Sequence, residues 1–376
     1  MEEWKEYKLG EVTVMKNGKK RPQSEGHYPV FGGNGIMDYS NDFNSDRVVI
    51  VGRVGAYCGC VYKCDEKCWV SDNAIAVFPK DIVDFHFLFY LMSNLDFHHH
   101  HIGGAQPLMT QDIIGDFNIK LPSLKCQQRI ASILKSLDDK IEVNRKINEN
   151  LEQQAQALFK SWFVDFEPFK NGEFVESELG MIPKGWRVGT LGDICAQSSE
   201  KVGIRNDIKV LSPVTTGCLM LSEEYFTKQV FSESIAKYKV VKRGAFAYNP
   251  ARVNIGSLGR NEYDFDGCVS PVYVVFECKD GYANYFDLYR TTERFKTEVL
   301  LRAIGGVRQS LNYTDFAMIQ TIIAPQDAID AFNPMFEKIK VTQKHLETEN
   351  NRLAELRDTL LPKLMSGELK INEIEK

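Results

Sequence analysis

The sequence lacks the long apolar runs and the paired cysteines that would indicate a membrane protein or a disulfide framework. No stretch approaches eighteen uninterrupted apolar residues, and the segment 1–10 is charged, without the apolar region of a signal peptide. The nine cysteines are odd in number and scattered along 376 residues, which favours reduced thiols in a cell interior. We therefore predict a cytoplasmic protein with no membrane partner.

An excess of basic residues is also missing. The 46 lysines and arginines face 51 aspartates and glutamates, giving a formal net charge of −5. A protein that binds nucleic acid unaided is usually basic. If this chain binds a polyanion, we expect partners to supply much of the charge neutralisation.

Sequence motifs for catalysis are absent as well. The segments closest to the Asn-Pro-Pro-aromatic loop of adenine methyltransferases are 249–252 and 333–335, and no phosphate-binding Gly-x-x-x-x-Gly-Lys-Ser/Thr motif occurs. Glu337, Lys338 and Lys340 could form a nuclease-like metal site, but on a heptad-patterned helix they are typical of solvated flanks. We predict no catalytic residues in this chain.

Two clusters raise a zinc hypothesis that the spacing does not support. Four cysteines lie close together in the sequence: Cys58, Cys60, Cys64 and Cys68. We expect Cys58 and Cys60 on one strand face and Cys68 across a turn at residues 65–67. The paired Cys-x-x-Cys spacing of structural zinc sites is missing. The histidine run His98–His101 is interpreted as a loop tip. We predict no metal site.

The chain contains a long internal repeat in two copies. Six features recur in the same order, at offsets that drift between about 182 and 203 residues, as expected when loops vary in length around a shared framework. The first features are Trp4, Leu9 and Gly10, which match Trp186, Leu191 and Gly192; later ones include Arg53 with Arg252, Gly103-Gly104 with Gly305-Gly306, and 119–122 with 322–325. The sequence therefore predicts two related domains.

Each copy is predicted to be mixed α and β. Short runs such as Val48–Val51 and Val272–Phe276 are typical of strands, and short helices are expected near Phe85–Leu95 and Ala283–Phe295.

A long helix is predicted to follow each copy. Apolar residues recur at alternating steps of four and three, the spacing of a coiled-coil seam. Polar residues in the middle of each seam would fix register and partner if the helices pair antiparallel. That pairing would relate the copies by a pseudo-two-fold axis; alternatively, each helix only completes the core of its own domain. The predicted seam residues are Leu137, Ile141, Asn144, Asn148 and Leu151 in the first helix, and Ile339, Gln343, Leu346, Asn350 and Leu353 in the second.

Along its whole length the chain resembles the specificity subunits of Type I restriction-modification systems. The resemblance depends on the start 4–12, on its echo 182–194 and on the C-terminal segment 360–367. It implies an α+β fold: two duplicated mixed α/β target-recognition domains separated by two long antiparallel coiled-coil helices with pseudo-two-fold symmetry. The boundaries are predicted as a first recognition domain 1–125, a first spacer helix 126–165, a linker 166–185, a second recognition domain 186–325, a second spacer helix 326–366 and a C-terminal tail 367–376.

The resemblance also implies a function and partners. Each domain is expected to recognise one half of a bipartite, asymmetric site in double-stranded DNA. The helices are expected to set the gap between the halves and to dock two methyltransferase (modification) subunits. Two restriction subunits, which are translocases and nucleases, would join for cleavage. No cofactor is expected in this chain, because S-adenosylmethionine, ATP and Mg²⁺ would belong to the partner subunits.

Reading DNA requires Arg, Lys, Asn or Gln side chains that reach base edges, with hydroxyls and backbone amides positioning phosphates. Such residues are expected in loops, where glycine pairs let the backbone approach a phosphate. The DNA-binding candidates of the first domain are Lys19, Lys20, Arg21, Asn34, Arg53, Tyr57, Ser71, Asn73, Gly103, Gly104 and Gln106. Those of the second are Arg205, Asn249, Arg252, Asn254, Ser270, Gly305, Gly306, Arg308, Gln309 and Ser310.

Two other functions stay open at the level of sequence. A stand-alone metal-dependent nuclease would cut plasmid DNA without partners. A coiled-coil scaffold unrelated to DNA would show no sequence-selective binding in the methylating assembly.

Overall fold

A computed structural model describes residues 4–23, 25–104, 106–205, 207–226, 231–232, 234–302 and 310–370. The chain forms two compact units. Unit 1 comprises Met1–Lys146 with Leu346–Lys376, and unit 2 comprises Ile147–His345. The predicted boundaries assign the long helices to segments of their own, whereas these units each include part of both helices.

The described elements are runs of short strands separated by helices. The strands are β1 Lys5–Lys8, β2 Thr13–Asn17, β3 Tyr28–Gly32, β4 Gly35–Ser40, β5 Ser45–Gly52, β6 Val61–Val70, β7 Ala74–Pro79, β8 Asn118–Leu121, β9 Phe174–Ser177, β10 Gly180–Pro183, β11 Arg187–Thr190, β12 Cys195–Ser198, β13 Lys209–Pro213, β14 Leu219–Leu221, β15 Lys239–Val241, β16 Phe246–Tyr248, β17 Leu258–Arg260, β18 Gly267–Val269, β19 Val274–Cys278 and β20 Gln320–Ile323. The α-helices are α1 Leu9–Val12, α2 Phe85–Ser93, α3 Gln111–Gly115, α4 Leu124–Phe163, α5 Leu191–Ile194, α6 Ser222–Tyr225, α7 Ala283–Tyr289, α8 Glu293–Arg302, α9 Tyr313–Ala317 and α10 Gln326–Ser366. Single 3-10 turns occur at Gly55–Tyr57, His98–His100, Glu167–Phe169 and Val253–Ile255.

In unit 1, six strands form one sheet in the order β2-β7-β5-β6-β3-β4, and β1 pairs with β8. Val49 and Val51 of β5 belong to a core that includes α2, α4 and the end of α10, while Val48 and Ile50 pack into a smaller core with β6 and β7. Successive side chains of a strand point to opposite faces. Both faces of β5 are therefore covered, which explains its uninterrupted apolar run.

Unit 2 contains two four-stranded sheets, β12-β19-β16-β17 and β14-β13-β18-β15, with β11 paired to β20 and β9 to β10. Its largest core is rich in aromatic rings, including Phe246, Phe276, Phe286 and Phe316. The rings of Phe276 and Phe316 lie 4.8 Å apart. Such ring contacts add to the stabilisation from burial.

The predicted duplication is confirmed by the strand pairing. β2 pairs antiparallel with β7, and β12 pairs antiparallel with β19. The next strand is added in the same way, since β5 pairs with β7 and β16 with β19. The pairs β1-β8 and β11-β20 complete each framework. The copies differ in the remaining strands, where the loop lengths also differ.

The two long helices of 40 and 41 residues are each about 60 Å long at 1.5 Å per residue. In unit 1 the two helices run antiparallel, because Asp138 contacts Arg357 while Asn144 contacts Asn350 further along. In unit 2 the ring of Phe332 lies 5.8 Å from Trp162. All ten predicted seam residues are buried or half-buried. Residues of both helices also belong to the cores of the two units. Helix pairing and completion of the cores, the two alternatives predicted from the sequence, therefore occur together.

Four local predictions differ from the structure. Residues 65–67 do not form a turn but lie within the ten-residue β6. Val272 is 72% exposed, and the strand begins at Val274. The helix expected at Ala283–Phe295 is two helices, α7 and α8. Cys58 and Cys60 do not lie on a strand but in the turn before β6. The first error arose because a charged run in a half-exposed strand has the composition of a turn.

The predicted linker 166–185 carries the β9-β10 hairpin. The rings of Phe166 and Phe169 lie 5.3 Å and 5.0 Å from Trp186. The segment is therefore ordered: Pro168 lies in a 3-10 turn, Gly180 and Pro183 lie in β10, and aromatic rings pack on Trp186.

Candidate nucleic-acid interface

In unit 1 the loops that carry the predicted residues meet at one edge of the six-stranded sheet. The backbone N–H of Arg53 donates to the carbonyl of Asn73 at 2.9 Å, and the N–H of Lys19 donates to the carbonyl of Val70 at 3.0 Å. Lys19 also forms a bridge with Ser71. The basic residues thus lie next to the β6-β7 turn.

Two further loops join this cluster. The N–H of Gly55 donates to the carbonyl of Pro107 at 3.1 Å, which places the Gln106 loop against the Arg53 loop. A Cβ at Gly33 would lie 3.4 Å from the carbonyl oxygen of Asn73. The Asn34 turn therefore lies in contact with the β6-β7 turn. We name the loops 18–21, 32–35, 52–57, 71–73, 102–104 and 106–108 cluster 1.

Most predicted side chains of cluster 1 are accessible. Arg53 is half-buried, and its guanidinium donates to the carbonyl of Asp72 at 3.4 Å. Arg21 forms an ion pair with Asp38. The exposed candidates are Lys19, Lys20, Arg21, Asn34, Tyr57, Asn73, Gly103, Gly104 and Gln106.

Ser71 differs from these residues. It is 1% exposed, and its Oγ has no hydrogen-bond partner among the described residues. The Oγ lies close to where a side chain at Gly32 would be. In this conformation the Ser71 side chain is buried and not accessible to a ligand, and its role as a contact residue stays a prediction. Strand ends carry both exposed and buried positions, and the sequence pattern did not separate them.

Unit 2 has a corresponding but smaller cluster. The N–H of Arg252 donates to the carbonyl of Asn249 at 3.0 Å, and the N–H of Ser257 donates to that of Arg252 at 3.1 Å. These bonds form a tight loop that carries Asn254. The N–H of Leu311 donates to the carbonyl of Pro250 at 3.1 Å, which brings Ser310 beside this loop. We name the loops 249–257 and 310–311 cluster 2.

The remaining predictions for unit 2 are not brought together. Arg205 donates to Glu200 at 2.9 Å, and the backbone carbonyl of the half-buried Ser270 accepts from the N–H of Tyr273, so each of these bonds lies outside cluster 2. Gly305, Gly306, Arg308 and Gln309 lie outside the described residues.

The sequence reasoning missed one turn, Thr215–Gly217, which lies against cluster 2. A Cβ on Gly256, whose φ is +93°, would lie 2.6 Å from the carbonyl oxygen of Thr215. Thr215 and Thr216 are both exposed. The signal that could have found the turn is the Thr-Thr-Gly sequence between two short strands.

The cysteine and histidine clusters bond internally. A hydrogen bond from Cys68 lowers the pKa of Cys64 to about 7. The Nδ1 of His98 lies 3.1 Å from the carbonyl oxygen of Cys58, and that of His99 lies 2.7 Å from the Asp96 carboxylate. Among the described residues, no three His, Cys, Asp or Glu side chains are grouped as metal ligands would be. Nor does any helix in the described ranges have the length and apolar character needed to cross a bilayer.

The fold, with two mixed α/β units and two long paired helices, is that of a restriction-modification specificity subunit. The crystal structure of the Type I restriction-modification S subunit from M. genitalium aligns with a TM-score of 0.64 at 15% identity, covering 97% of this chain and 96% of that one. Residues 1–153 match the Type I restriction modification DNA specificity domain.

Relatives at higher identity agree with this class. The specificity subunit of the Type I restriction enzyme MjaIX from Methanocaldococcus jannaschii is 32% identical over 326 residues, covering 79% of this chain and 72% of the relative. The HindI specificity subunit from Haemophilus influenzae is 40% identical over 337 residues, covering 71% and 72%. The chain belongs to the family of Type I restriction enzyme specificity subunits.

Proposed function

We propose that this chain reads a bipartite, asymmetric site in double-stranded DNA, with one half-site contacted by cluster 1 and the other by cluster 2. One observation, made in both units, supports the proposal: two equivalent loops are hydrogen-bonded to each other. In each unit the loop bearing the predicted arginine, Arg53 or Arg252, is hydrogen-bonded to the segment that follows the glycine pair. Two similar but non-identical readers suit two different half-sites.

The side chains of both clusters have the chemistry for this task. Arg, Lys and Asn give bidentate contacts to base edges, and backbone N–H groups near glycines position phosphates. Because the formal net charge is −5, the partner subunits would supply much of the phosphate neutralisation.

The paired helices would dock two methyltransferase subunits and set the gap between the half-sites, and two restriction subunits would join for cleavage. In this proposal the chain has no active site of its own. S-adenosylmethionine, ATP and Mg²⁺ would be bound by the partners.

The test combines helix insertions with methylation mapping. The chain is co-expressed with its modification subunit, and methylated adenines are mapped across the host genome. Insertion of four residues, one helical turn, between Lys146 and Ile147 and again between His345 and Leu346 adds about 6 Å to each helix. We expect the gap to lengthen by about one or two base pairs, with both half-sites unchanged.

The matched control inserts the same four residues after Lys370, outside both helices, and should leave the gap unchanged. A changed base within either half-site, or an unchanged gap in an active assembly, would contradict the role of the helices as the spacer. Absence of selective methylation by the unmodified chain with its partner would contradict the proposed function as a whole.

A further inference from the structure

The guanidinium of Arg290, just after α7, joins two separate turns of unit 2. Its Nη1 donates to the carbonyl oxygen of Gly217 at 3.0 Å and to that of Leu258 at 3.1 Å. Gly217 ends the Thr215–Gly217 turn, and Leu258 directly follows the cluster 2 loop. One side chain therefore fixes the position of both turns relative to each other.

A buried carboxylate orients this guanidinium. Asp287 is 6% exposed, and its Oδ1 accepts from Nε and Nη2 of Arg290 at 2.9 Å and 2.7 Å. Burial alone would raise the pKa of Asp287, but the charges of Arg290, Lys340 and Arg260 outweigh it and hold the pKa below its ordinary value. A two-pronged bond of this kind fixes the plane of a guanidinium as well as its position.

Asp287 is also linked to the long helix α10 through Arg260, whose Nη1 lies 3.8 Å from Oδ2 of Asp287. Nη1 of Arg260 donates to Oδ1 of Asn284 at 2.9 Å, and Nδ2 of Asn284 donates to Oδ1 of Asn333 in α10 at 3.1 Å. Nζ of Lys340, also in α10, is paired with the carboxylate of Glu262. Arg290 is thus held by a network that extends from the sheet to α10.

The cluster 2 loop also contacts β13, the strand that leads into the Thr215–Gly217 turn. The hydroxyl of Ser257 donates to the carbonyl of Pro213 at 2.6 Å. Exposed polar side chains extend from both turns, Thr215 and Thr216 from one and Asn254 from the other.

The two turns border open space. Both line a cavity of about 1160 Å³. The charged residues among its described lining are Lys160, Arg290, Arg294, Lys296 and one acid, Glu293. Three of these cations are paired with a carboxylate, Lys160 with Asp165, Arg290 with Asp287 and Lys296 with Glu293. Any recognition at this site would therefore depend on the geometry of the turns and their exposed polar side chains, and not on net charge.

We propose that Thr215 and Thr216 form a second recognition turn of unit 2 beside Asn254, and that Arg290 is the positioning residue that sets the distance between the two turns. This inference rests on the proposed function. It adds contact residues that the repeat did not reveal, because the residue directly after α2 is Asn94, whereas the residue directly after α7 is Arg290.

The test uses the full chain assembled with its modification subunits. Methylation is measured on a plasmid library with every single-base change in both half-sites. The variants are Arg290→Lys, which keeps the charge but loses the planar fork, and Thr215→Val with Thr216→Val, which removes only two exposed hydroxyls. The control is Arg357→Lys, an arginine of unit 1 that donates to Asp138 at 2.8 Å. Thermal unfolding checks that each variant is folded.

We expect both sets of variants to weaken discrimination at the same half-site at least about fivefold, with the other half-site and the control unchanged within about twofold. If Arg290→Lys acts without the threonine variant, the recognition turn is refuted. If neither alters discrimination, or both half-sites change equally, the whole inference is refuted while the proposed function stands. If the unmodified assembly shows no base preference, the proposed function itself fails.

Discussion

Tyr90 in α2 provides a sharp test of how the first globular core is attached to the long helices. Its ring is 2% exposed, and its hydroxyl donates to Oδ2 of Asp138 in α4 at 2.6 Å. The other oxygen of Asp138 accepts from Arg357 in α10 at 2.8 Å. Burial, followed by this hydrogen bond, raises the pKa of Tyr90. One carboxylate therefore links three helices of unit 1.

The substitution Tyr90→Phe removes only the hydroxyl. A hydrogen bond to a charged group contributes roughly 1.5–3 kcal/mol. Water can partly replace the lost donor, because the Asp138 side chain is 25% exposed. We therefore expect the free energy of unfolding to fall by about 1–2 kcal/mol. Asp138→Ala should cost more, about 2–4 kcal/mol, since it leaves both the tyrosine hydroxyl and the guanidinium without this acceptor.

The assay is a double-mutant cycle of Tyr90→Phe and Asp138→Ala. The stability of each variant is measured by urea-dependent hydrogen exchange of peptides covering Phe85–Ser93, so that unit 1 is observed separately from unit 2. The expected coupling between the two substitutions is about 1–2 kcal/mol. Tyr39→Phe, at a tyrosine that is 50% exposed, is the control and should change stability by less than about 0.5 kcal/mol. Additive effects of the two substitutions would refute the reasoning.

Three further perturbations have defined outcomes. Asn144 is fully buried, donates to Glu349 and Asn350, and leaves its own Oδ1 without a partner in the described chain. Asn144→Leu should therefore change the free energy of unfolding in urea by no more than about 1 kcal/mol, because apolar burial and removal of the unpaired oxygen offset the lost bonds. A loss above about 3 kcal/mol would contradict this balance. Gly52→Ala would place a Cβ 2.2 Å from the carbonyl oxygen of Tyr57, and should lower the free energy of unfolding, measured by thermal unfolding, by at least about 2 kcal/mol. Gly104→Ala, with open space around its Cβ, should lower it far less. Equal effects would exclude the clash. Because the pKa of Asp287 is lowered in the fold, its contribution to stability is complete above the unfolded pKa of about 3.9 and is lost as the pH falls towards the folded pKa. The melting temperature of the wild type should therefore fall more steeply with decreasing pH than that of Asp287→Asn. Parallel curves would argue against the pairing.

The repeated framework could be predicted from sequence because it depends on spacing. Matches such as Trp4 with Trp186 and Arg53 with Arg252 mark equivalent strands and loops, and the four-three spacing located α4 and α10 within a few residues. These features come from periodicity and order, which a sequence displays directly.

The site was predictable only in part, because exposure and contact depend on tertiary packing. Ser71 and Asn73 lie two residues apart in the same turn, yet one is buried and the other exposed. Thr215 and Thr216 were missed because their importance depends on contacts made by Arg290, 74 residues from Thr216 in the chain. The hairpin within 166–185 was missed because its order comes from aromatic rings distributed along the sequence.

The closing turns of α10 bear on how the chain is made. Leu364 and Met365 are buried in the same core as Leu9 and Ile130. During synthesis the first globular region therefore leaves the ribosome with part of its interior still missing, and it stays incomplete until α10 has been translated. A chain that stops before Leu364 would present this apolar gap to other molecules, where chaperones and proteases that recognise exposed apolar surface would act.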